Sequence, residues 1–408
     1  MEGLTLDYLW IWSELLVRWV HVIAGVAWIG SSFYFIALDL SLRQGRSLPK
    51  GAHGQAWQVH GGGFYNMVKY LIAPNRMPDE LTWFKWEAYG TWISGMALMA
   101  LVYYSATSLY MIDPEILDIT KWQAIGISIG GIILGWAIYD GLCRSPLGRN
   151  DVLLALIGFI FLVLIAWLST QIFSARGAFM QTGVTIGTMM VANVLMVIIP
   201  GQKKVVAALR AGNSPDPRYG LRGKQRSLHN NYLTLPVIFV MIGGHYPMIF
   251  ATKYSWVIIG LVLLIGCAIR HFFNTKHRGL PAPYWTWAVA ATLTLAAIMM
   301  SYAGAPKGEY DVSGNGISDT LHANAVELVI ERCSSCHAQV PQWDGLAFAP
   351  QGIILENKQQ IARHADSIFW QSAASYAMPP GNIIWLEDDE RAMLKRWHAA
   401  IRSGEITR

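Results

Sequence analysis

The sequence predicts an all-α protein: an eight-span transmembrane helix bundle followed by a small helical domain at the C-terminal end. Three observations carry that prediction. Of 408 residues, 53% are hydrophobic and only 14% are charged, with 18 tryptophans, whereas a soluble chain carries about 25% charged residues. Apolar runs long enough to cross a bilayer, roughly 20 residues each, recur along the first three quarters of the chain. Past the last run the composition turns polar and a Cys-x-x-Cys-His motif appears, Cys333-Ser334-Ser335-Cys336-His337.

The spans read at about 9–38, 87–110, 122–142, 152–174, 179–200, 232–250, 254–273 and 283–303. The first is expected to stay in the protein, because Met1 to Tyr8 holds no Lys or Arg and no small-residue cleavage site follows. Trp10, Trp12, Trp83, Trp86, Trp122, Trp256, Trp285 and Trp287 fall near span ends, where amphipathic rings sit at the lipid headgroups. Cys143 and Cys267 are expected as buried thiols in different helices.

Basic residues gather in alternate connections. Arg43, Arg46, Lys50, Lys69 and Arg76 lie between spans one and two, Arg144 and Arg149 between three and four, a run from Lys203 to Arg226 between five and six, and Lys276 and Arg278 between seven and eight. The other connections hold only Lys121, Arg176 and Lys253. By the positive-inside rule both termini face outward. The net charge of +5 follows from these loops, and no nucleic-acid partner is expected.

Ionisable groups inside the spans are costly against lipid and point to function. Glu14, Arg18 and His21 recur at helical spacing and share one face, continued by Gly25, Trp28 and Ser32. Two readings are open: a Glu14–Arg18 pair with His21 bonded to a neighbouring helix, or a ligand or substrate role for His21. His60, His229 and His271 are placed to cluster at the inner face, and His21 and His245 to converge higher up, so a metal or a histidine-ligated haem on these five histidines, in addition to any group held further along the chain, is open. Asn193, and Asp140 with Arg144, are further inward-facing candidates.

In the motif at 333–337 two cysteines one helical turn apart suit thioether attachment of haem, with His337 as the proximal iron ligand. Met378, in Tyr376-Ala377-Met378-Pro379-Pro380-Gly381, supplies a thioether for the other face. A helix over 322–332 delivers Cys333, and a last helix over 386–402 carries acids first and bases last, matching its dipole. Residues 320–408 thereby resemble a class I cytochrome c, and the resemblance implies that a proline carbonyl, at Pro350, orients the His337 imidazole. Residues 1–303 are the membrane domain, and 304–319, rich in Gly and Pro, are the linker. Covalent haem is attached outside the bacterial cytoplasm, which agrees with the outward C-terminus.

The stretches Arg18-Trp19-Val20-His21-Val22-Ile23-Ala24-Gly25-Val26-Ala27-Trp28-Ile29-Gly30 and His229-Asn230-Asn231-Tyr232-Leu233-Thr234-Leu235-Pro236, with the C-terminal haem motif, resemble the bacterial integral membrane, cytochrome c-fused urate oxidases of the PuuD family. The resemblance implies a bacterial inner-membrane enzyme of purine catabolism. It would hydroxylate urate to 5-hydroxyisourate with oxygen from water and pass two electrons to haem c, with no hydrogen peroxide formed. It assigns Cys333, Cys336, His337 and Met378 to haem and implies a soluble cytochrome c or a terminal oxidase as the next acceptor. It assigns no urate-site residue. From the chemistry, His21 and Arg18 lead, with His245, His229, Asn230 and Asn231 behind them, as base, cation and hydrogen-bonding groups for an anionic purine. A hydrocarbon core about 30 Å thick exceeds one efficient tunnelling step, so either urate binds in the outer half or a carrier such as haem b bridges the gap. The competing expectation is a membrane-anchored electron-transfer subunit that serves a partner dehydrogenase or quinol.

Overall fold

The computed structural model describes residues 6–45, 48–70, 77–310, 317–343, 346 and 348–406. Arg46, Arg76 and the 311–316 part of the expected linker lie outside the described residues. The chain is mostly helical. In order the helices are α1 (Leu6–Ser41), α2 (Trp86–Leu98), α3 (Thr107–Tyr110), α4 (Lys121–Arg144), α5 (Asp151–Thr170), α6 (Ala175–Ala192), α7 (Ile199–Arg210), α8 (Pro217–Gly243), α9 (Pro247–Phe250), α10 (Ser255–His277) and α11 (Trp285–Ala303). They continue with α12 (Ile317–His337), α13 (Lys358–Arg363), α14 (Ala365–Ile368) and α15 (Asp388–Ser403).

Six of these segments are long and apolar enough to cross a membrane: Tyr8–Ser41, Lys121–Arg144, Asp151–Thr170, Ala175–Arg210, Ser255–His277 and Trp285–Ala303. The other two expected spans are helical but differently built. One is α2, which runs on through a π-helical stretch, Met99–Tyr104. The other is α8, whose first half carries Arg218, Arg222, Lys224 and Arg226, so its apolar part is only the second half. On the outside of α1, Ile11, Leu15, Trp19, Val22 and Val26 stay exposed, as lipid contact requires. Cys143 is buried as expected, but Cys267 is exposed on α10; in a lipid-facing helix a small thiol needs no protein cover.

Among the described residues one element departs from all-α. Strands β1 (Ala52–His60) and β2 (Gly63–Tyr70) pair antiparallel. Gly61 and Gly62 turn the chain at φ +58° and +80°, the two positive values that a tight two-residue hairpin turn needs.

The bundle has two distinguishable ends. At the basic end, Arg43 donates to the His277 carbonyl at 3.1 Å, Gln225 to the Gly148 carbonyl at 2.8 Å and Arg210 to the Asp79 carbonyl at 3.3 Å. At the opposite end, Ser174 N–H reaches the Met111 carbonyl and Lys253 N–H the Gly304 carbonyl. The main core between them gathers Phe179, Ile186, Met189, Val240, Ile259 and Leu263.

Residues from α12 onward build a core of their own around Leu321, Val329, Leu394 and Trp397. There α12 packs on α15, with an Arg332–Glu390 bridge at 2.8 Å. Helix α15 begins with Asp388, Asp389 and Glu390, closed by a Glu387–Glu390 capping box, and carries Arg402 in its last turn, the dipole match that the sequence predicts.

Candidate functional sites

Helix α12 runs five residues further than expected and ends on His337, so Cys333, Cys336 and His337 all lie in its last turns. Burial pushes the Cys333 thiol up to about 12 and raises Cys336, so both are neutral. Burial also lowers His337, which leaves the uncharged imidazole that binds metal. Its Nδ1 donates to the Ile353 carbonyl at 3.0 Å, so Nε2 is the nitrogen left for iron. This corrects the expected role of Pro350: its carbonyl accepts the Ile353 N–H at 3.1 Å in a 3₁₀ turn, Pro350–Gly352. That turn swings the carbonyl three residues on toward the imidazole.

The loop carrying Met378 is clasped by Arg391, which sequence reasoning missed. Its buried guanidinium donates to the carbonyls of Ser372 at 2.6 Å, Ser375 at 3.3 Å and Met378 at 3.0 Å, and to Asn382 Oδ1 at 3.1 Å. Nε, also buried, has no partner among the described residues. The same loop docks on the opposite end of the bundle. Tyr376 N–H reaches the Ala251 carbonyl at 3.0 Å, Lys253 sits over the Tyr376 ring at 5.4 Å, and Asn382 donates to Glu115 at 3.2 Å. Gly381 lies so close that a Cβ would stand 2.6 Å from the Ile112 carbonyl oxygen.

Within the bundle, Glu14, Arg18 and His21 do share the inward face of α1. Glu14 and Arg18 are ion-paired. His21 Nδ1 donates to the Thr91 carbonyl at 2.9 Å and lies 3.2 Å from Ser94 Oγ on α2. Gly95 makes room for the ring; a Cβ there would sit 3.0 Å from His21 Cε1. His245 is exposed in the turn after α8, where the charges of Arg18 and Arg176 both act on it. The half-buried Tyr103 lies within electrostatic reach of the same two arginines. Arg176, stacked over Phe250 at 5.0 Å, and Tyr103 were not foreseen. No contact joins His21 to His245 among the described residues.

The expected inner-face histidine cluster does not form. His60 is exposed at the hairpin turn. His229 faces α4, its Nδ1 2.8 Å from Tyr139 Oη, while His271 packs on Trp285 of α11. Among the described residues no three His, Cys, Asp or Glu side chains gather to hold a metal ion. His229 joins a satisfied polar network instead. Arg226 pairs with Asp140 at 2.7 Å, as does Arg144 at 2.6 Å. Arg226 also donates to Asn193 at 3.0 Å, and Asn193 donates to Asn230 at 2.8 Å and Tyr139 at 3.1 Å.

Arg270, by contrast, has no carboxylate partner among the described residues. Its Nε donates to Asn231 Oδ1 at 3.2 Å, its Nη2 to Asn274 Oδ1 at 3.0 Å, and its guanidinium covers the Phe33 ring at 4.1 Å.

Residues 7–301 match a family model described as urate oxidase N-terminal. No curated protein and no solved structure matches the chain.

Proposed function

Since the chain belongs to the urate oxidase N-terminal family, we propose that it is a membrane-bound urate oxidoreductase whose electrons leave through a haem c on its own C-terminal unit. Urate and water become 5-hydroxyisourate, two protons and two electrons, and no hydrogen peroxide forms.

The observation that supports the electron route is the docking of the Met378 loop on the opposite end of the bundle. The donor set fits haem c. Two neutral thiols stand one turn apart, His337 keeps Nε2 free because Nδ1 is bonded to Ile353, and Met378 offers its thioether from a clasped loop. When bound, the haem supplies one-electron acceptance. The chain's own contribution is positioning.

In this reading Arg18, Arg176 and His245 hold the anionic purine at the docked end. His21, with its proton fixed on Nδ1 by the Thr91 carbonyl, presents Nε2 as the base for a ring proton. His229, tied to Tyr139, stands apart from that group and supports the fold beside it. Oxidation at this end leaves a short path to the docked loop and needs no b-type haem. The eight helices then cross the bacterial inner membrane with both termini and a class I-like cytochrome c domain in the periplasm. A soluble cytochrome c or a terminal oxidase is the next acceptor.

The test is anaerobic addition of urate to the purified, oxidised full chain. Reduction of the c-type absorption band without any partner protein is expected. An unchanged band would make the chain a relay for another enzyme's electrons and contradict the proposal.

A further inference from the structure

The Arg270 cluster lies near the His277 end of α10 and takes no part in the route above. A cavity of about 460 Å³ opens there between α1, α8 and α10, lined by Phe33, Tyr34, Ala37, Arg270, Phe273 and His277 among others. That volume falls within the usual range of small-molecule sites, about 300–1,000 Å³.

Three features of its polar groups point to a ligand. Arg270 is 5% exposed and unpaired by any carboxylate among the described residues, and an uncompensated charge at such depth is costly. The lining His277 has a buried Nδ1 with no partner among the described residues, and Asn231, which accepts from Arg270 and is 0% exposed but is not itself a lining residue, has an Nδ2 in the same condition. The neighbouring Arg226 shows the contrast, since its charge is met by Asp140 at 2.7 Å.

The walls narrow the ligand class. Phe33 lies flat enough against the guanidinium to be 4.1 Å from it, and Tyr34 and Phe273 add two more rings. Unmet donors beside aromatic faces suit a flat, negatively charged heterocycle with ring carbonyls. The cavity lies toward the basic end: its lining Tyr34 donates through Oη to Gln58 of β1 at 2.7 Å, and Arg43 donates to the carbonyl of its lining His277 at 3.1 Å.

We propose that this cavity is a binding site for a small planar organic anion, the class that includes urate, and that it receives that anion from the basic end of the bundle. Phe33 and His21 are twelve residues apart on α1, about 18 Å at 1.5 Å per residue, so the receiving site and the Arg18–His245 group are distinct. Its assignment to urate rests on the function proposed above; its anion chemistry does not.

The experiment is equilibrium dialysis of radiolabelled urate against the full-length haem-loaded protein, kept reduced so that no turnover occurs. Arg270→Gln removes the free cation, and Ala37→Phe fills the cavity from α1 without touching Arg270. The wild type should show two classes of urate site, this one and the Arg18–His245 group; in both variants the class at Arg270 should weaken about tenfold or more, the loss expected for one charge-assisted contact, while the other class stays. The haem spectrum should stay that of the wild type and each variant should still unfold cooperatively, with Arg270→Gln melting lower because Asn274 Oδ1 loses its donor, and Arg270→Lys should recover part of the affinity. Wild-type affinity in a folded Ala37→Phe or Arg270→Gln protein would overturn the site. So would a wild-type protein that binds no urate, or one whose only Arg270-dependent occupant is a co-purifying anionic lipid. Failure of the function leaves a different trace: urate binds at Arg270 but never reduces the haem.

Discussion

Replacing Arg391 by lysine tests how the Met378 loop is held. The arginine fork reaches three carbonyls and one amide oxygen at once. A lysine ammonium is a compact head that cannot span them. At least two buried acceptors are left without a donor, at about 1–3 kcal/mol each, so the loss is about 2–6 kcal/mol. That is a large part of the 5–15 kcal/mol that typically stabilises a domain of this size. With roughly 4–8 °C per kcal/mol for a small domain, the C-terminal unit should melt at least about 8 °C lower. Melting is followed in the full chain by haem absorbance, and the sulfur–iron charge-transfer band reports whether Met378 still binds. The band should weaken with the melting temperature. An Arg391→Lys protein with both unchanged would refute the idea that this clasp fixes the loop.

Gly381→Ala should undock the loop, because its φ is +55° and the new Cβ meets the Ile112 carbonyl at 2.6 Å. Urate-driven haem reduction, measured by stopped flow, should slow about tenfold or more while the haem spectrum is kept; an unchanged rate would place the electron path elsewhere. His322 gives a pH dependence. Burial lowers its pKa, and Nδ1 accepts from Trp397 Nε1 at 2.9 Å, so the folded form is neutral. As pH falls below the ordinary value of about 6.5, the unfolded chain takes up the proton first. Stability from this group is therefore full above that pH and lost as pH falls through the lowered folded value. Haem-domain melting at pH 7.5 and 5.5 should differ by less in His322→Phe than in the wild type.

Much of the architecture was legible because helices and short sequence motifs are local. Apolar runs, the Glu14–Arg18–His21 stripe and Cys333-x-x-Cys336-His337 each need only nearby residues. What escaped depends on pairing over long sequence distance. The hairpin had its signal in His60-Gly61-Gly62-Gly63 but sits in a loop between spans, where membrane reasoning expects none. The Ile353 carbonyl replaced that of Pro350 because a 3₁₀ turn, with positive φ at Gln351 and Gly352, moves the acceptor along the chain. Arg270 stands beside His271 near the end of α10, where a basic residue draws no notice. Only the fold shows that its neighbours are Asn231, Asn274 and Phe33, with no acid among them. Arg391 is one of several charges on α15, and its burial against a loop 13 to 19 residues earlier has no local signature.

The central claim is that urate's electrons go to a haem on this same chain. Anaerobic titration of the oxidised protein with urate, in oxygen-labelled water, measures it directly. The account predicts about two haem c reduced for each urate consumed and the label in 5-hydroxyisourate. Urate consumption that requires dioxygen, yields hydrogen peroxide and leaves the haem oxidised would contradict it.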